Sequence, residues 1–343
     1  MVNGESKNAP SMADVAALAG VSHQTVSRVV NGSDAVRGDT RERVQAAIDE
    51  LGYRRNKSAR ALVTRRSGRL GLLYSQPHLY GPSTLAASVH QAGQRAGYDI
   101  ILSPVPHLEA TSTERAIEAL LDDAVEAVLL GVSHQSFEDL VAQLATMVEV
   151  VMIHSDPPEG VRSVGIDQHA GAVLATEYLL GLGHRNIAHV AGPGGWIDAR
   201  QRREGWLAAL RDGGAQPGPE ILGDWSSRSG YEAGAVIARD TSVTAVFAAN
   251  DSMALGVIRA LHEAGRRVPQ DVSVVGFDDV PDAAYLWPPL TTVRQDFASL
   301  GELAVEVATE AIAEGTVEVP PLIAPELVVR SSAAPLTPGR DVS

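Results

Sequence analysis

Cysteine is absent from the 343 residues. That excludes a disulfide framework, thiolate metal sites and cysteine nucleophiles, and it suits a reducing compartment. No apolar run approaches the roughly 18 residues that a membrane span needs. The opening MVNGESKNAP is polar and carries no export signal, so a cytoplasmic location without membrane attachment is expected. Catalytic and cofactor signatures are missing as well. AGPGGW (191–196) lacks both the G-x-G-x-x-G spacing and the lysine of a phosphate-binding loop, and reads as a strand-to-helix loop. His154, His169, His184 and His189 show no paired metal-ligand spacing and read as structural. No Ser-His-Asp or paired-carboxylate constellation follows from spacing. The expectation is a protein with no catalytic residues, no cofactor and no metal. The ending lacks a leucine heptad: after Arg330 comes SSAAPLTPGRDVS, polar and rich in proline. Aromatics are scarce at 4%, which gives weight to any that gather at one site.

Charge is present but uneven. The chain carries −14 overall, yet residues 1–69 hold twelve Lys and Arg against seven Asp and Glu, leaving −19 on the rest. A small basic head on a large acidic body can bind phosphate at one end and repel it elsewhere. A solvated basic tail is the bland alternative. With 45% hydrophobic residues and mean hydropathy near zero, the length suits two or three folding units.

The head reads as three helices. In MADVAALA (12–19), Val15, Ala16, Leu18 and Ala19 give a short apolar stripe, and Gly20 breaks the helix. Ser22 is a natural N-cap for a second helix, 23–30, which buries Val26 and either Val29 or Val30. That helix leaves His23, Gln24, Ser27 and Arg28 facing outward. A third helix, expected at 39–51 with Asp39 as cap and Glu42 three residues on, turns Val44, Ala47, Ile48 and Leu51 to one side. Two short helices joined by a glycine turn, with a third behind, make a helix-turn-helix whose second helix enters the major groove. Gln24 has the geometry to pair with adenine, and Arg28 reaches guanine or a phosphate.

DVAALAGVSHQTVSRVVNG followed by TRERVQAAIDELGY resembles the DNA-binding domain of the lactose-repressor (LacI/GalR) family of bacterial transcription regulators. The resemblance is nearly gap-free from Ala13 to Leu62. It implies that His23, Gln24 and Arg28 read bases, and that Ser22, Thr25, Ser27, Asn31 and Thr40 mainly position phosphates. The connector 53–69 carries seven basic residues and no acid. Alone it reads as a flexible charged linker, too short for a stable helix. The resemblance implies a hinge helix over Asn56, Ala59 and Leu62, formed when two subunits meet on DNA, with Leu62 as an apolar wedge in the minor groove. The family usually has Pro just before the Asn. This chain has Arg55, so hinge folding is expected to lean more on DNA.

From Arg69 the chain alternates short aliphatic runs (70–74, 99–103, 127–130, 150–154, 187–191, 245–249, 272–277) with amphipathic stretches (83–96, 113–122, 170–182, 200–211, 251–264, 300–314). Such alternation predicts parallel sheets covered by helices on both faces, with ligands at the carboxyl ends of the strands. LGHRNIAHVAGP, DARQRREGWLAAL, FAANDSMALGVIRAL, VSVVGFDD and PPLTTVRQDFASLG resemble the effector-binding core of the same family. The resemblance then implies an α/β core like periplasmic binding proteins, with two parallel-sheet subdomains crossed near Ile166, Gln295 and Leu322. The expected division is 1–52 for the all-α head, 53–68 for the hinge and 69–334 for the core, with 335–343 a flexible tail. Within the core the first subdomain takes 69–166 and 296–322, and the second takes 167–295 and 323–334.

Arg202 and Asp278 suit charge-assisted hydrogen bonds to hydroxyls, Asn250 supplies donor and acceptor, and Trp225 offers a flat apolar face. The resemblance places these four in the cleft. Tyr80, Ser83, His154, Asp198 and Phe297 are further candidates, with plain core packing the alternative for the aromatics and a capping or turn role for Asp278. The expected function is a homodimeric repressor that leaves a pseudo-palindromic double-stranded DNA operator when a small sugar, galactoside-like, binds. A corepressor ligand such as a purine or phosphorylated sugar is the alternative, and a sugar-binding protein without a DNA role is the remote one.

Overall fold

The computed structural model describes residues 10–30, 32–33, 35–53, 66–105, 110–134, 141, 143–157, 160–315 and 320–336. Asn31, Asn56, Ala59 and Leu62, and with them the hinge expectation, lie outside the described residues. The chain divides into two units, residues 1–67 and 68–343.

The first unit holds α1 (Met12–Ala19), α2 (His23–Val30) and α3 (Gly38–Leu51). Ser11 and Asp14 close a reciprocal cap on α1, each accepting from the other's backbone N–H, and this arrangement lowers the Asp14 carboxyl below its usual range. Gly20 ends α1 at φ 64°, turning its N–H back to the carbonyls of Ala16 and Ala17. An L side chain is strained there, so glycine makes the tight turn possible. Ser22 then accepts from Thr25 N at 3.2 Å and opens α2. Arg43 of α3 donates to Ala19 O at 2.6 Å, which ties α3 to the end of α1. Val15, Ala16, Ala19, Val26, Val29, Val44 and Ala47 form the core with Tyr53.

Two details differ from expectation, and the open choice between Val29 and Val30 is resolved. Leu18 is 47% exposed, because the core face of so short a helix is filled by Val15, Ala16 and Ala19. Val29 is buried where Val30 is only partly so. The third helix starts at Gly38 with Arg37 as its N-cap residue and no side-chain cap. Asp39 therefore lies inside the first turn, where its carboxylate still favours the positive end of the helix.

The second unit opens with β1 (Arg69–Ser75), α4 (Tyr80–Ala96), β2 (Asp99–Val105), α5 (Ala110–Asp122), β3 (Ala127–Gly131), β4 (Glu149–Ile153) and β5 (Ser163–Val164). These strands form a parallel sheet ordered β2-β1-β3-β4-β5. Period-two alternation sends Leu70, Leu72 and Tyr74 of β1 to one face and Leu73 to the other, each into its own core cluster. Next come α6 (Gln168–Gly181), β6 (Ile187–Ala191), α7 (Ile197–Asp212), β7 (Glu220–Leu222), α8 (Ser227–Ile237), β8 (Ala245–Ala248), α9 (Asp251–Glu263) and β9 (Ser273–Asp278). A 3-10 turn (Pro281–Tyr285), β10 (Thr291–Arg294), α10 (Phe297–Glu314) and β11 (Glu326–Val328) complete the described elements. The second sheet is ordered β11-β10-β9-β8-β6-β7, parallel except where β11 runs against β10.

Three passages connect the sheets. Ile166 bridges Ile323 after β5, and α6 begins two residues later. The chain leaves β10 at Gln295, and α10 then packs Phe297, Leu300, Ala304 and Ala308 into the core of the first sheet. It returns past Ile323 to β11. At the end of the described residues, Leu336 N donates to Leu182 O at 2.8 Å and His184 Nε2 meets Ala334 O at 3.1 Å. A strip of backbone partners beside the second sheet holds those residues down. His189, fully buried, stacks between Trp206 and Phe247, with burial pushing its pKa to about 4.

Candidate functional site

The cleft forms where the strands of both sheets end. Tyr80, His154, Asp198, Arg202, Trp225, Asn250, Asp278 and Phe297 all line it. Ser83 does not. It sits exposed on the first turn of α4, with its hydroxyl donating back to Tyr80 O at 3.0 Å.

Arg202 on α7 is buried. Its guanidinium lies 3.9 Å from the Phe277 ring centroid and 5.5 Å from that of Trp225. Its Nε donates to Gln168 Oε1 at 2.9 Å and its Nη1 donates to the carbonyl of Ala249. Nη2 stands 3.9 Å from Asp278 Oδ1. Burial works against the guanidinium's charge, and the carboxylates of Asp278, Asp198 and Asp251 oppose that effect. Burial also raises Asp278 to about 6, against the pull of Arg202 and Gln295. Asp251, at the start of α9, accepts from Val280 N at 2.9 Å and from Thr292 Oγ1 at 2.5 Å. Burial first, then the Asp278 charge, push it to about 8.

The backbone is strained at this place. Trp225, Asp278 and Asp279 have φ of 74°, 117° and 53° without being glycine. Such residues persist only where neighbours hold them, and they gather at functional sites. Asp279 is held by Arg330 Nη2 at 2.6 Å and Arg294 Nε at 2.7 Å. Trp225 is held through its carbonyl, which accepts from Asn250 Nδ2 at 3.1 Å. Asn250 Oδ1 in turn accepts from Met253 N at 2.8 Å and caps α9. Its amide is thus partly committed, and it offers a ligand less than the full donor and acceptor pair expected.

Two contacts from the first sheet reach α7. Ser133 Oγ donates to Asp198 Oδ1 at 2.6 Å, and Arg200 Nη2 to Asp156 Oδ2 at 2.7 Å. His154 Nδ1 accepts from Asp156 N at 2.8 Å, so a neutral ring carries its hydrogen on Nε2. Tyr80 and Phe297 meet edge-to-face at 6.1 Å. The sequence reading missed Gln168, Gln295, Ser133, Ser155 and Trp196, all of which line the cleft. For Gln168 and Gln295 a signal existed, since each is a polar residue next to a predicted crossover. Among the described residues, no group of three His, Asp or Glu is placed to hold a metal ion, and no helix is long and apolar enough to cross a membrane.

On the head, His23, Gln24 and Arg28 are exposed on α2, while Val26 and Val29 face the core. Ser22 and Thr25 are hydrogen-bonded to each other at 2.9 Å, and Thr40 N donates to Asp39 Oδ1 at 2.8 Å. Ser27 is partly buried on the same helix.

Residues 11–56 match the bacterial regulatory proteins, lacI family, and residues 176–333 match the periplasmic binding protein-like domain. The lactose operon repressor of Escherichia coli (strain K12) is 37% identical over 295 residues, spanning 85% of this chain and 82% of that protein. The HTH-type transcriptional regulator CelR of Thermobifida fusca is 37% identical over 344 residues, spanning 96% and 99%. A solved lac repressor dimer bound to operator and the anti-inducer ONPF matches with a TM-score of 0.87 at 34% identity, covering 95% of this chain and all of that one. The CelR–cellobiose complex matches with a TM-score of 0.71 at 34% identity, covering 94% and 100%. A helix-turn-helix head, a two-sheet core with a polar cleft, and these identities along nearly the whole length show that the chain belongs to the LacI family of bacterial regulatory proteins.

Proposed function

We propose that this protein is a homodimeric transcriptional repressor whose second unit binds an uncharged sugar that releases the head from a double-stranded DNA operator. The observation that carries the reading is the pairing, on one chain, of an α2 face presenting His23, Gln24 and Arg28 with a cleft built around a buried guanidinium and carboxylate. His23, Gln24 and Arg28 are assigned to base edges, and Ser22, Thr25, Ser27, Asn31 and Thr40 to phosphates. Asn56, Ala59 and Leu62 are assigned to the hinge.

In the cleft, Arg202 donates to sugar hydroxyls, Asp278 accepts from them, and Trp225 and Phe297 cover the apolar face of the ring. Asn250, Asp198, His154 and Tyr80 complete the set. The cleft has a volume of about 180 Å³. Relatives are repressors of lactose and ribose operons, and a lac repressor has been solved with ONPG. The reading supposes binding without turnover.

The corepressor alternative has a relative in the HTH-type transcriptional repressor PurR of Pasteurella multocida, 33% identical. The charges weigh against a phosphorylated ligand. Among the described residues lining the cleft, Arg202 is the only Lys or Arg. Arg200 is paired with Asp156, and Arg203 with Glu220 at 2.6 Å. Fluorescence anisotropy on DNA from upstream of the protein's own gene, with galactose, lactose, cellobiose, ribose and hypoxanthine added in turn, tests the reading. Selective binding released by one sugar supports it. Binding tightened by hypoxanthine replaces it with the corepressor, and no selective binding in any condition overturns it.

A further inference from the structure

Four buried side chains close a ring at the floor of the cleft. Arg202 Nε donates to Gln168 Oε1 at 2.9 Å, Gln168 Nε2 to Gln295 Oε1 at 2.8 Å, and Gln295 Nε2 to Asp278 Oδ1 at 2.7 Å. The same Asp278 oxygen stands 3.9 Å from Arg202 Nη2. All four residues are more than nine-tenths buried. The ring has one permitted sense. A guanidinium only donates and an ionised carboxylate only accepts, so both amides must present oxygen towards Arg202 and nitrogen towards Asp278. Turning either amide over would set donor against donor and acceptor against acceptor among side chains more than nine-tenths buried.

The two amides also stand where the chain passes between sheets. Gln168 begins α6 two residues after the Ile166–Ile323 bridge, and Gln295 lies between β10 and α10.

We propose that Gln168 is a positioning residue that aims Arg202 into the cleft and, through Gln295, ties the state of the Arg202–Asp278 pair to the two strand crossovers. A ligand hydroxyl that takes hydrogen bonds from Arg202 or gives them to Asp278 competes with the amides, and the amides hold the segments about which the two sheets move. The inference rests on the sugar-binding reading for its ligand, but the ring itself is open to test without one.

The chemistry supplies a specific signature. Gln168→Leu removes both the acceptor for Arg202 and the donor for Gln295, and opens the ring at any pH. Gln168→Glu keeps the acceptor and loses the donor. The ring then closes again only when the two carboxyls together hold one proton, either on the introduced carboxyl, which donates to Gln295 as the native amide does, or on Asp278 with Gln295 turned over. That state has the same net charge as the native ring. The charged and titratable groups facing Asp278 are Arg202 and Asp198 from α7, Asp251 from α9 and Tyr80 from α4. Gln168→Glu is therefore expected to behave like the native chain near pH 5.5 and like Gln168→Leu near pH 8.

The experiment is amide hydrogen exchange of the full chain at both pH values, reading protection factors for 165–168 and 294–297 in the native protein and both variants. A second arm measures operator release by the sugar panel above. The expected result is a loss of protection of about tenfold or more in Gln168→Leu at both pH values, and in Gln168→Glu at pH 8 only. In the second arm, the fold-change in operator affinity on saturating sugar should fall in the same pattern, while sugar-free operator affinity stays within about twofold. Native protection in Gln168→Leu, or a Gln168→Glu variant indifferent to pH, overturns the proposal. A native protein that no sugar releases overturns the repressor reading instead, and the exchange data then decide the ring by themselves.

Discussion

At the scale of single residues, the cleft is defined by charges kept dry. Asp278 is the most open to test, because it is strained at φ 117°, buried, hydrogen-bonded to the Gln295 amide and 3.9 Å from the Arg202 guanidinium. Replacing it by alanine would leave Arg202 buried without its counter-charge, a change that risks the fold itself. Asp278→Asn keeps an oxygen for Gln295 and removes only the charge. Hydrogen bonds to charged groups contribute about 1.5–3 kcal/mol, so sugar affinity should fall by roughly tenfold to a hundredfold by calorimetry, with operator affinity unchanged in the absence of sugar. A variant that binds sugar as tightly as the native chain removes Asp278 from the site. The neighbouring Asp251 gives a second prediction, in pH. Its folded-state pKa of about 8 lies far above the ordinary 3.8, as Asp278's does at about 6. The folded chain therefore holds protons that the unfolded chain releases. That contribution to stability is complete below about pH 4 and is lost as pH rises towards 8. The melting temperature of the second unit should fall between pH 5 and pH 8, and Asp251→Asn should flatten most of the slope. A slope unaltered in that variant would show that Asp251 is not the group responsible.

At the scale of elements, legibility follows the strength of the local signal. Helices α1 and α2 are readable to the residue because capping and the glycine stop are written in the sequence, as are β-runs such as 187–191. What escapes is of two kinds. Strands β5, β7, β10 and β11 are two to four residues long, too short to show a period. Helix α8, SRSGYEAGAVI, looks like a loop by its glycines and serines. Small residues serve packing here: a Cβ at Gly256 of α9 would collide with the carbonyl oxygen of Ser227, so the two helices touch backbone to backbone. In the cleft, charged and aromatic residues can be named from their chemistry. Ser133 and Ser155 cannot, because an uncharged polar residue away from a predicted crossover announces nothing until the fold gives it a partner. The head offers the test at this scale. Gly20 holds an αL conformation at the turn between α1 and α2, which costs an L residue roughly 1–2 kcal/mol. Gly20→Ala should destabilise the three-helix unit by about that amount, lowering its thermal transition and weakening operator binding. Sugar affinity should not change. A variant with native operator affinity and native melting would mean that the turn relaxes without harm to α2.

At the scale of the whole molecule, the question is how two heads come to one operator. An isolated head of this size makes few base contacts, and half-sites a helical turn apart need two heads held together. The linkage raises the effective concentration of the second head and so carries much of the affinity. A solved relative is a dimer on operator. This chain exposes large apolar side chains of its own. Tyr285 and Trp287 are 87% and 93% exposed, beside Leu286, which packs onto the cluster formed by Ala254 and Ile258 of α9. Leu255 on the same helix is exposed too, as are Val236 on α8 and Leu222 on β7. Exposed large apolar side chains that lie together mark an interaction face, and the expectation is that Trp287 and Leu255 belong to one that a second copy meets about a two-fold axis. Trp287→Glu combined with Leu255→Glu places like charges against each other across that axis. The double variant should sediment as a monomer at micromolar concentration, bind sugar within about twofold of the native chain because the cleft lies inside one chain, and lose operator affinity by two orders of magnitude or more. If it sediments as a dimer, the copies meet elsewhere. If it is monomeric yet holds operator as tightly as before, the second head is not what the affinity depends on, and the two-headed mechanism falls with it.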